Sequence, residues 1–180
     1  MRTGMSRNGN SRRRLERSCR TKIADLDLPT PFRLSGLHQR LELQRGRELW
    51  VQGSEDLPAE ITGLWIGTVT RDYVFYRAGL DGCRRDQTIL HEFSHVICDH
   101  RSARVTDQAW LRDRCPWLTG LGDVEHMCMR TDYGTDDERE AELMASLILS
   151  RATRRGRLSS PELEPEELRV LQRTESIFRT

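Results

Sequence analysis

The chain has 180 residues, room for one compact domain and too few for a multidomain machine. Its 29 basic and 28 acidic side chains leave a formal charge of +1, which excludes attraction to nucleic acid by the surface as a whole. Mean hydropathy is -0.68, and no apolar run reaches the roughly eighteen residues that a membrane helix needs, so no membrane association is expected.

Residues 1–20 carry seven arginines and one glutamate among Gly, Ser and Asn, with little to bury, and are expected to form a flexible Arg-rich arm. Direct nucleic-acid binding is not expected, and the arm would be its only means. Arg12, Arg13 and Arg14 resemble the charged head of an export signal, but no apolar segment follows before Asp25. Cys19, Cys83, Cys98, Cys115 and Cys128 are odd in number and form no CxxC pair. Neither a disulfide framework nor a four-cysteine zinc module is indicated, and a reduced, cytoplasmic setting is expected. Lys22 is the only lysine, a preference for arginine that reads as coding bias.

Beyond Pro29 and Pro31, Leu34, Leu37, Leu41 and Leu43 recur along one side of a short helix ending near Gly46. Leu49–Val51, Ile61–Val69 and Asp72–Tyr76 are short, rich in Trp, Ile, Val, Tyr and Phe, and punctuated by Gly53, Pro58 and Gly79. They predict a small antiparallel sheet whose last two strands form a hairpin through Thr70, Arg71 and Asp72. Asp86–His100 predicts a helix, with Ile89, Leu90, Phe93, Val96 and Ile97 apolar and Asp86 as its cap. Residues 101–135 are irregular in pattern and predict at most one short helix. Asp136–Arg151 predicts a second helix, acidic in its first turn, where the helix dipole favours negative charge. A last amphipathic helix is expected over 156–180. The expected fold class is α+β, a single domain over 21–155 with its core at 60–150, flanked by the arm and the C-terminal helix.

Chemistry is concentrated in His91-Glu92-Phe93-Ser94-His95. Residues four apart on a helix lie one turn above each other, so both imidazoles can address one metal while Glu92 sits beside an open coordination position. With five histidines and fifteen glutamates, a shuffled chain would contain this pattern in about one per cent of cases, so context must decide. The context is an apolar-periodic helix directly after a hairpin, followed by an acid-rich helix. A hydrolytic Zn2+ takes three protein ligands and keeps a fourth position open. Candidates for the third ligand are Glu138, Glu140, Glu142, His126 and His100. At about 100° per residue, a helix continued to His100 turns it about 140° from His95 and about 180° from His91, away from a shared metal. Glu138 and Glu142 share a face with the small residues Ala141 and Ala145, whereas Glu140 points elsewhere. On chemistry alone Glu92 is the general base and later the proton donor to the leaving amine. Tyr133 and His126 are candidates for an oxyanion contact and are not assigned one. Cys98 falls within about 20° of His91 around the helix and reads as a small buried hydrophobe.

The segment Glu138-Arg-Glu-Ala-Glu-Leu-Met-Ala145, after His91-Glu-Phe-Ser-His95, resembles the ImmA/IrrE-type zinc metallopeptidases over about residues 60–150. The resemblance implies a zincin-like fold, a gluzincin-like zinc endopeptidase activity, and a metal set of His91, His95 and Glu138 with Glu92 as the catalyst. Glu142 stands where that family usually has asparagine, Met144 where it usually has an aromatic residue, and Ser150-Arg151 where Met-Pro often closes the helix. Glu142 therefore stays open as a replacement or support for Glu138. The family also implies an edge strand that holds extended peptide, for which Tyr73–Tyr76 is the candidate, and a cytoplasmic protein substrate such as a helix-turn-helix repressor. No helix-turn-helix pattern is attached to this chain. The competing expectation is a metal-binding regulatory or interaction protein, or a toxin–antitoxin component, without proteolytic turnover.

Overall fold

The computed structural model describes residues 5–100, 124–129 and 135–154, and the side chains of 11–100, 124 and 136–151. Within them the architecture is α+β, in the order α1 (Met5–Asp25), α2 (Leu34–Arg45), β1 (Glu48–Ser54), β2 (Gly63–Thr68), β3 (Arg71–Arg77), α3 (Gly82–Cys98), β4 (Val124–Met129) and α4 (Thr135–Arg154).

The predicted hairpin forms, but its turn is Val69–Thr70, with Arg71 and Asp72 already in β3 instead of the connection expected. The Thr68 hydroxyl closes the turn, accepting from the Arg71 N–H at 3.0 Å and donating to the Arg71 carbonyl at 2.8 Å. Every residue of β2 is buried, the pattern of a strand covered on both faces. The strand order is β1-β3-β2-β4. β1 runs parallel to β3 while the other pairs are antiparallel, so the sheet is mixed and not the antiparallel one expected. Residues 55–62 carry the chain past one strand width, which β3 then fills. Arg77 pins that crossing: its N–H donates to Thr62 O at 2.8 Å, and its guanidinium bonds the carbonyls of Pro58 and Ile61.

Tyr73–Tyr76, expected at an edge, thus lie in a strand paired on both sides, and β4 forms the edge beside β2. β4 itself runs through chain whose pattern predicts no strand. Pairing from Thr68↔Val124 to Leu64↔Met129 makes it one, a case of tertiary context outweighing a weak local preference.

Where a flexible arm is expected, α1 is helical from Met5. Leu15, Cys19 and Ile23, at four-residue steps, pack into the core, and α1 lies against α4. An apolar stripe one residue wide among arginines is too thin to read from composition. The rest of this core joins Trp65 and Val74 of the sheet to Leu37 and Leu41 of α2, Leu90 and Phe93 of α3, and Met144 and Ile148 of α4. Leu43 points outward, 76% exposed.

α3 starts four residues earlier than predicted. Gly79, at φ 80, turns the chain in a left-handed conformation after β3, and Asp81 rather than Asp86 caps the helix, accepting from the Arg84 N–H at 2.9 Å. The helix also ends early. Asp99 adopts a left-handed conformation, φ 52, and donates its N–H back to His95 and Val96, so His100 leaves the helical spiral.

A charge cluster around one buried carboxylate fastens the sheet to α2. Asp72 on β3 is fully buried and bonds Arg45 Nε at 2.5 Å and Trp65 Nε1 at 3.1 Å, with Arg47 Nε at 3.1 Å. The helices predicted within 101–135 and over 156–180, Tyr133, and the side chain of His126 lie outside the described residues.

Candidate metal centre

α3 and α4 pack on each other, and their contact brings together side chains 47 positions apart. His91 and His95 present Nε2 atoms 3.0 Å apart, with ring centroids separated by 4.8 Å and planes 70° apart. Glu138, in the first turn of α4, brings Oε2 to 3.6 Å from His91 Nε2 and Oε1 to 3.5 Å from His95 Nε2. Donors at about 2.0–2.1 Å from a tetrahedral zinc lie about 3.3 Å from one another, so the three spacings suit one ion of that size. The His95 side chain is fully buried, while His91 and Glu138 keep 17% and 20% of theirs exposed, so the cluster faces solvent on one side.

Packing separates Glu138 from Glu142. Ala141, Met144 and Ile148 form the buried stripe of α4, and Glu138 continues it by one turn toward the N-terminus. Glu142 is turned about 100° from Ala141 and is exposed. Burial, reinforced by the neighbouring His91 and His100, drives the His95 pKa down to about 2. The ring is therefore neutral, the form in which an imidazole nitrogen donates to a metal.

Glu92 is 3% exposed and lies between α3 and the first residue of β2. Gly63 makes the room. A Cβ at residue 63 would collide with Glu92 Oε1 and stand 3.0 Å from Glu92 Cδ.

Behind His95 lies a second group, which the sequence reading misses. His100 turns back over the end of α3 and places Nδ1 at 2.9 Å from His95 Nδ1, and its Nε2 stands 3.4 Å from Glu140 Oε2. Cys98, His100 and Glu140 also lie within the spacing of a metal cluster. A cation already occupies this group, however: Lys22 Nζ is 2.9 Å from Glu140 Oε1, and its charge also acts on the Cys98 thiol. Burial pushes that thiol up to about 12, against the pull of Lys22, so the sulfur keeps its proton. Burial works against ionisation of Glu140 too, but hydrogen bonding and charge from Lys22, joined by His100, hold its pKa below the ordinary value. The sequence signal for this group was slight. Asp99 could have been read as a helix stop, but nothing local connects His100 to Glu140 or to Lys22.

Comparisons with protein-family models, with curated proteins and with solved structures find no match. Among the described residues no helix is long and apolar enough to cross a membrane.

Proposed function

We propose that this chain is a zincin-like, zinc-dependent endopeptidase of ImmA/IrrE type that hydrolyses a peptide bond in a protein partner. The observation that carries the reading is the convergence of His91, His95 and Glu138 from two helices at tetrahedral spacing, with Glu92, buried, following His91 in the chain. Two imidazoles and one carboxylate are a donor set of catalytic zinc sites, which leave a fourth position open. When bound, zinc polarises a scissile carbonyl and acidifies water. Glu92 accepts a proton from the attacking water and delivers it to the departing amide nitrogen. Gly63 keeps the start of β2 clear of that carboxylate.

The sheet supports a mode of substrate binding. Among the described residues β4 is the edge beside β2, and Met129 pairs with Leu64, the neighbour of Gly63, so the C-terminal end of β4 comes nearest to Glu92. An extended segment added along that edge bonds through its backbone, which suits an exposed stretch of a regulator such as a helix-turn-helix repressor.

The test is metal analysis and proteolysis with the full chain. One zinc per chain is expected, with cleavage of an unstructured protein substrate that falls by at least about a hundredfold in Glu92→Gln while the metal is retained. A chain that takes up no zinc, or a Glu92→Gln variant as active as the parent, overturns the reading. Zinc retained without any Glu92-dependent cleavage would instead mark a regulatory metal protein.

A further inference from the structure

We infer that Glu140 and His100 are positioning residues that hold His95 in the tautomer presenting a lone pair to the metal position. The inference rests on His91, His95 and Glu138 being metal ligands, and concerns the hydrogen-bond chain behind them. His95 and His100 meet Nδ1 to Nδ1 at 2.9 Å, so one proton bridges them and one ring must be its donor. The other end of His100 decides which. Its Nε2 faces Glu140 Oε2 at 3.4 Å, with Asp137 Oδ1 at 4.0 Å on the same side. Glu140 is paired through its other oxygen with Lys22 at 2.9 Å, and an ionised carboxylate can only accept.

His100 therefore carries its proton on Nε2, directed at Glu140, and offers the lone pair of Nδ1 to His95. His95 must then donate from Nδ1, which leaves its Nε2 as a lone pair that, before a metal enters, accepts from the His91 Nε2–H at 3.0 Å, with Glu138 Oε1 at 3.5 Å beside it. The reverse arrangement sets the lone pair of His100 Nε2 against a carboxylate oxygen and puts a proton on His95 Nε2, where a metal would bind. Ligating histidines commonly donate their second N–H to an outer partner, and loss of that partner weakens metal affinity. Here the outer partner is an imidazole whose own tautomer is set by a carboxylate one step further out. The chain runs Lys22, Glu140, His100, His95 and draws on α1, α4 and the turn after α3, so it exists only once those elements are packed.

Two measurements test this on the full chain. In the first, two-bond proton–nitrogen NMR spectra of the metal-free, histidine-labelled protein assign the tautomers. Expected are Nδ1–H on His95 and Nε2–H on His100, with His95 moving toward Nε2–H in Glu140→Gln. A wild-type His95 carrying its proton on Nε2, or a doubly protonated His100, overturns the inference. In the second, competition with a chromophoric chelator gives the Zn2+ dissociation constant. His100→Phe, which cannot accept from His95, should raise it about ten- to hundredfold, and His100→Asn, whose side-chain oxygen can accept, should recover most of the loss. A folded His100→Phe that binds zinc within about twofold of wild type overturns the inference while the ligand assignment stands. A wild-type chain without zinc affinity removes the ligand assignment, and the spectra of the metal-free protein still decide the tautomer.

Discussion

Gly63 stands against Glu92 so closely that a methyl group at residue 63 would fall on the Glu92 carboxylate and come within 2.7 Å of Thr88 Cγ2. Gly63→Ala should therefore displace the proposed base without touching the metal ligands. Misplacing a catalytic group by about 1 Å costs about a hundredfold in rate, and overpacking costs about 1–3 kcal/mol of stability. Hydrolysis should fall by that order, the melting temperature should drop, and zinc content should stay at one per chain. Unchanged activity would mean that β2 does not confine the Glu92 carboxylate.

Glu138 and Glu142 should separate cleanly in zinc binding. Glu138→Ala removes a donor and should weaken affinity by more than the ten- to hundredfold typical of an outer partner. Glu142 is exposed, so Glu142→Ala should leave affinity unaltered and stability within about 0.5 kcal/mol. Chelator competition on the two variants gives the answer, and equal losses would restore Glu142 as a ligand.

Acid should destabilise the metal-free chain through His95. Its folded pKa is lowered to about 2 from an ordinary 6.5, so between these values the unfolded chain binds a proton that the folded chain does not. Stability then rises with pH: it is fully present above about 6.5 and is lost as pH falls, at up to about 1.4 kcal/mol per pH unit. Glu140, whose pKa is also lowered, adds loss of the same sign at lower pH, below its ordinary value. Urea midpoints in the presence of a chelator, from about pH 7.5 to about pH 5, should follow this slope. His95→Gln should flatten it, and a flat wild-type profile would contradict the burial of a neutral ring.

The N-terminal helix should prove part of the folded core. Ile23 is 4% exposed, and an Ile→Ala change at such a site costs about 2–5 kcal/mol. Denaturant unfolding of Ile23→Ala reports this directly, and no change would mean that the C-terminal end of α1 is not packed on the rest of the domain.

Asp72 should be costly to remove. Asp72→Ala leaves the part-buried Arg45 and Arg47 without their shared carboxylate, Arg45 keeping Asp99 and Arg47 the Thr68 carbonyl, so the loss by unfolding measurements should approach without exceeding the about 3–5 kcal/mol of a broken buried pair. Preserved stability would show that solvent reaches the two guanidinium groups.

What the sequence determined by itself was local. Ile89, Leu90, Phe93 and Val96 mark a helix by their spacing, and that helix sets His91 and His95 one turn apart whatever surrounds it. Thr68 and Arg71 close their hairpin within a few residues, and Gly46 ends α2 at φ 66, again a local matter. Tertiary structure decided the features whose causes are far apart along the chain. Glu138 and Glu142 look alike in sequence until the buried face of α4 is known. β4 is a strand because β2 offers it an edge, and β3 is central because Arg77 ties down a crossing of the chain. Lys22, which reads as an accident of composition, meets Glu140 across 118 positions and completes a chain of hydrogen bonds leading to His95. Periodicity records which residues prefer burial on one element. Which polar groups then find one another is settled only when several elements bury those faces together, because a buried donor or acceptor must take its partner from whatever packing brings within reach.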